Sequence, residues 1–118
     1  MISPFFHGLA GYAIGAILIA APFLFGFEAS AAVAVSLVAG VFAVVLEASS
    51  DLPTGLARVV PVAIHFLVDL ILAAVLIAAP FLFGFSDESA PTALFIVVGI
   101  GGLLLTIGTK FLPVDSSA

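Results

Sequence analysis

The chain has 118 residues, 64% of them hydrophobic and 8% charged, with a net charge of −5. A soluble domain carries roughly a quarter charged residues, so this chain cannot cover a water-facing surface and no soluble domain fits within it. Two basic side chains, Arg58 and Lys110, against seven acidic ones exclude nucleic-acid binding, and the absence of cysteine excludes disulfides, thiolate metal sites and thiol catalysis.

The first apolar run opens with Ser3-Pro4, a serine cap followed by proline in the first turn. It continues to about Phe25, and crossing a bilayer takes about 20 apolar residues. Ala29-Ser30-Ala31 has the small residues of a signal-peptide cleavage site, but Met1 to His7 carries no Lys or Arg. Span 1, from about Pro4 to Phe25, therefore reads as retained. Span 2 runs from about Ser30 to Glu47. A polar linker, about residues 50–57, follows. Span 3 starts at Val59 or Pro61 and ends near Phe83. Span 4 starts near Pro91, with Ser89 or Ala90 as cap, and ends near Leu112-Pro113, leaving Val114 to Ala118 as a tail.

The segment Leu18 to Phe27 returns unchanged as Leu76 to Phe85, 58 residues on. Repetition at a fixed period is the mark of a duplicated structural unit. The expected fold is all-α: one membrane domain of four transmembrane helices, arranged as two parallel-duplicated helical hairpins. Repeat 1 covers about 4–49 and repeat 2 about 58–113. Two helices per repeat place both hairpins in the same direction. Arg58 and Lys110 fall on the side of the N-terminus, while Glu28, Asp87 and Glu88 fall at the hairpin tips, to cap or solvate them. The positive-inside rule puts both termini and the linker in the cytoplasm.

Within the repeated segment, Pro22 and Pro80 cannot donate to the carbonyl four residues back and should bend or loosen their helices. Gly26 and Gly84 suit the left-handed position that ends a helix, and Phe27 and Phe85 follow as the apolar residues that pack back on the last turn. The phenylalanines of both motifs are expected to pack inward against the neighbouring repeat. Ala21-Pro22-Phe23 with Gly26-Phe27, and Ala79-Pro80-Phe81 with Gly84-Phe85, resemble the motif of the SPW-repeat family. In that family a Ser-Pro-Trp lies near the end of the first helix of a duplicated two-helix unit. Here Ala replaces Ser and Phe replaces Trp in both copies. The resemblance implies a small bacterial integral membrane protein of two hairpins and no established biochemical activity.

Few residues can carry chemistry. His7 and His65 are also 58 residues apart, at equivalent places near the starts of spans 1 and 3. Facing one another they could ligate a haem, a pigment such as a chlorin, or a metal between the repeats; as a duplicated structural pair they would only hydrogen-bond. Asp69 is the carboxylate clearly inside a span, four residues after His65 and so on the same helix face. An intramembrane carboxylate costs at least about 2.5–3.5 kcal/mol and should face protein or water. Its counterpart is Gly11, which would leave room for it, and Tyr12 could reach it as a hydroxyl donor. Asp69, His65 and Tyr12 thus form the expected intramembrane polar site. Gly11, Gly15, Ser36 and Gly40 supply close helix packing, and Gly99, Gly101 and Gly102 loosen span 4. Glu47 and Lys110, at helix ends, are read as solvated. There is no Ser-His-acid spacing, no metal-binding histidine cluster and no phosphate loop, so neither enzyme activity nor a required metal or cofactor is expected. Small multidrug transporters share this length but rely on a glutamate in the first span, which is absent here.

Three functions remain. The first is a non-catalytic accessory or scaffold subunit of the bacterial inner membrane, packing against another membrane protein or itself. The second is a haem, pigment or metal binder through His7 and His65. The third is a small proton or ion transporter centred on Asp69.

Overall fold

Apolar runs of this length must satisfy their own backbone hydrogen bonds inside a bilayer, which selects helices. The computed structural model describes residues 2–109. Lys110, the expected end of span 4 at Leu112-Pro113 and the tail from Val114 to Ala118 lie outside the described residues. Among the described residues the helices are α1 (Pro4–Leu24), α2 (Ser30–Ser49), α3 (Val62–Leu82) and α4 (Ser89–Gly108). All four are long and apolar enough to cross a membrane. The chain is an all-α membrane protein of two helical hairpins, α1–α2 and α3–α4. Close packing is concentrated within each hairpin, and α1–α4 and α2–α3 touch more sparsely.

The ends follow local chemistry. The Ser3 hydroxyl accepts from the Phe6 N–H at 3.2 Å, with Pro4 in the first turn of α1. Pro61 stands just before α3. Within the described residues α4 ends at Gly108, and at Thr109 the backbone turns extended (φ −90°, ψ 139°) and forms a parallel bridge with Ile2. The equivalent bridge joins Ser50 to Val60.

Neither Pro22 nor Pro80 ends its helix, which continues for two more residues in each case. The glycines end it. Gly26 and Gly84 take φ of +60° and +73°, where an L-side chain costs about 1–2 kcal/mol. The Phe27 N–H then reaches back to the Pro22 carbonyl at 3.1 Å, and the Phe85 N–H to the Pro80 carbonyl at 2.9 Å. These bonds close the last turn. The reversal turns Phe27 and Phe85 into the bundle, where both meet Phe95 edge-on with centroids 6.4 and 5.5 Å away. Phe23, Phe25, Phe81 and Phe83 instead point outward, which corrects the expectation that the motif's phenylalanines all pack inward. Lipid tails are as apolar as a core, so an outward Phe loses nothing there.

The small residues pack within hairpins. A Cβ on Gly15 would meet the Gly40 carbonyl at 3.0 Å, and one on Gly40 the Gly15 carbonyl at 2.8 Å. In the second hairpin Gly99 lies as close to the Ala73 carbonyl, 3.0 Å. Gly99 is therefore a packing residue, and α4 runs unbroken through Gly101 and Gly102. The Ser36 hydroxyl donates to the Leu18 carbonyl at 2.5 Å.

The repeat has two offsets. α1 and α3 start at Pro4 and Val62, 58 residues apart, whereas α2 and α4 start at Ser30 and Ser89, 59 apart. The second hairpin tip is one residue longer. Counted along the helices, Ser36 matches Phe95, Gly40 matches Gly99, Glu47 matches Thr106 and Ser50 matches Thr109.

Candidate functional site

His7 and His65 are each the fourth residue of their helix, so two parallel helices carry them to the same depth. The rings are buried, edge-on at 5.5 Å between centroids, with Nε2 atoms 3.4 Å apart. A hydroxyl from the other hairpin stands behind each ring. Thr109 Oγ1 lies 3.0 Å from His7 Nδ1, and Ser50 Oγ lies 2.6 Å from His65 Nδ1. Each hydroxyl gives its single proton to its own helix, Thr109 to the Leu105 carbonyl at 2.6 Å and Ser50 to the Leu46 carbonyl at 2.5 Å. Each must therefore accept from the imidazole, which fixes the proton on Nδ1 and turns Nε2 to the centre.

Two carboxylates face those nitrogens. Asp69 Oδ2 is 2.8 Å from His7 Nε2 and 2.9 Å from His65 Nε2. Glu47 Oε1 is 3.4 Å from His65 Nε2 and 4.0 Å from His7 Nε2. Glu47 is 3% exposed, and its Oε2 has no hydrogen-bond partner among the described residues. The expectation that Glu47 is solvated is thus overturned. The linker folds back over the last turn of α2. The Leu56 and Ala57 N–H groups bond to the Ala48 carbonyl, and those of Val59 and Val60 to the Ser49 carbonyl. A helix end that looks solvent-facing is roofed over. The signal was present: Ser36, Gly40 and Ala43 lie on one face of α2, and the next step along that stripe is Glu47.

Two further assignments change. A Cβ on Gly11 would fall on the Glu47 carboxylate, so Gly11 makes room for Glu47 and not for Asp69. The Tyr12 hydroxyl donates to the Thr54 carbonyl at 2.9 Å and so ties the linker to α1 rather than reaching for Asp69. His7, Glu47, His65 and Asp69 each offer a donor atom within 4.8 Å of the others, where the sequence suggested no metal-type cluster. The cause is the missing fourth member, Glu47.

The chain Ser50–His65–Asp69 also has the connectivity of a hydrolase triad, which the sequence spacing hid. Ser50 is buried and its proton is committed to Leu46, so its oxygen accepts from the imidazole rather than being deprotonated by it. Beside the cluster lies a cavity of about 40 Å³, lined among others by Gly11, Leu76, Gly102 and Thr106. It has room for a small ion or water, which needs at least about 10–15 Å³. At the opposite end, Glu88 accepts from the Glu28 and Ala29 N–H groups at 2.7 and 3.0 Å, tying the two tips together.

Fold and site define a class: duplicated four-helix membrane proteins that enclose an ionisable cluster at one end of the bundle. Within it, the chain belongs to the SPW repeat domain family, whose model matches residues 5–109. No curated protein and no solved structure matches the chain. The motif's aromatic positions, Phe23 and Phe81, face outward from the last turns of α1 and α3.

Proposed function

We propose that this SPW-repeat protein is a non-catalytic accessory or scaffold subunit, a single membrane domain of two repeats that packs against a larger membrane complex or against itself. The observation behind this reading is the division of its surface. The cluster's charged groups face one another across the repeats, while the helices present apolar side chains outward, among them Ile17, Val38, Val41, Ile71, Val97 and Leu104. Such a surface meets lipid and other membrane helices, and the short loops offer little to a soluble partner. The orientation that agrees with Arg58 is the one with linker and termini in the cytoplasm of a bacterial cell.

The chain has no cysteine, so single-cysteine crosslinking is clean. Val38→Cys on α2 and Val97→Cys on α4, crosslinked in native membranes, should yield a stoichiometric adduct with another membrane protein or a second copy. A chain that stays monomeric and uncrosslinked in native membranes and in mild detergent would refute the reading.

A further inference from the structure

We infer that the cluster of His7, Glu47, His65 and Asp69 is a binding site for one divalent first-row transition-metal ion. It is held inside the bundle and shared by the two hairpins. The inference goes beyond the scaffold reading and does not depend on it.

Donor and acceptor accounting carries the argument. With Nδ1–H committed to Thr109 and Ser50, each imidazole in its neutral form presents Nε2 as an acceptor. The carboxylates of Asp69 and Glu47 present acceptors as well. Atoms of one polarity thus converge from three helices, and two carboxylates bring two negative charges into an apolar bundle. Something positive belongs at their focus. One divalent ion with two neutral histidines balances the charge as two extra protons on the histidines would. A proton bridge engages Asp69, at 2.8 and 2.9 Å from the two nitrogens, but gives nothing to Glu47 Oε2, buried without a hydrogen-bond partner among the described residues, whereas an ion chelated by both Glu47 oxygens would engage it.

The dimensions agree. Ligands about 2.0–2.2 Å from a tetrahedral ion stand roughly 3.3 Å apart. Here the pairs that include a histidine are separated by 2.8 to 4.0 Å, and all four donors lie within 4.8 Å of one another. Imidazole with carboxylate suits zinc, iron or manganese better than calcium or magnesium. The hydroxyls behind Nδ1 do what outer-shell groups do in metal sites, fixing tautomer and ring direction. The same dimensions favour an ion over the larger cofactors considered for the histidine pair. A macrocycle needs a pocket of about 300–1,000 Å³, and the cavity beside the rings has about 40 Å³.

The test uses the full chain in lipid nanodiscs, stripped with chelator and titrated with Zn²⁺ by calorimetry and with Co²⁺ by absorption. The expected result is one ion per chain, with the intense visible bands of tetrahedral Co²⁺ displaced by Zn²⁺. Thr109→Val and Ser50→Ala leave all four ligands in place and should weaken binding about 10- to 100-fold. His65→Gln should abolish the Co²⁺ bands. Wild-type protein that is helical by circular dichroism but takes up no stoichiometric Zn²⁺ or Co²⁺ overturns the proposal and leaves a proton-bridged clasp. Uptake unchanged in His65→Gln overturns it too, because the ion then lies elsewhere.

Discussion

The two hairpins share their frame and differ in their chemistry. Both have a histidine at the fourth helical position, a glycine turn closed by a phenylalanine, a close helix contact at Gly40 or Gly99, and a hydroxyl at the end of the second helix. They differ where a pair meets across or within the bundle. Gly11 stands where the other hairpin has Asp69, Thr106 where this one has Glu47, and Phe95 where this one has Ser36. Duplication supplied two equal scaffolds. At these positions one copy carries a bulky or charged group where the other carries a smaller one.

That comparison can be broken by substituting equivalent positions. The largest effect is expected in the cluster. His65→Leu or His7→Leu leaves carboxylates buried beside fewer partners and should cost about 3–5 kcal/mol. Unfolding in mixed micelles would read it. Equal losses at both positions fit a shared site, whereas a loss at one alone would assign the cluster to a single hairpin.

Next comes the pair Phe95 and Ser36. Phe95→Ala removes a fully buried ring touched by Phe27 and Phe85 and should cost about 3–5 kcal/mol less any collapse of the cavity. Ser36→Ala removes one interhelical hydrogen bond, about 0.6 kcal/mol in a membrane protein. The same unfolding assay should therefore separate two positions that are equivalent in the repeat. The smallest effect is the most symmetric: Gly26→Ala and Gly84→Ala should each cost about 1–2 kcal/mol, and by similar amounts. Unequal values there would show that the two tips are not the same structural unit.

The frame was legible in the sequence because its devices are local. A proline, a glycine and an apolar residue define a helix end within a few positions, and the identical segments declare the duplication. The His7–His65 pair was legible for the same reason, since first helices keep one offset. What the sequence hid is non-local. The extra residue in the second tip shifts the second helices by one, so a strict 58-residue count pairs Ser50 with Gly108 and Glu47 with Leu105. The likeness of Ser50 to Thr109 then disappears. Glu47 was misread because its burial depends on the linker folding over α2, and Tyr12 because the same linker offers the Thr54 carbonyl first.

The hydroxyl behind His7 belongs to Thr109, 102 residues later in the chain, and Ile2 is bonded to Gly108 beside it. The start of α1 is thus completed by the residues that close α4. In the first hairpin alone, His7 and Glu47 would lack the Thr109, His65 and Asp69 side chains that the second hairpin brings. A chain cut short in α4 would therefore carry its scaffold and its acids, yet lack the hydroxyl that orients one imidazole. The cluster is therefore complete only when both hairpins are present through Thr109.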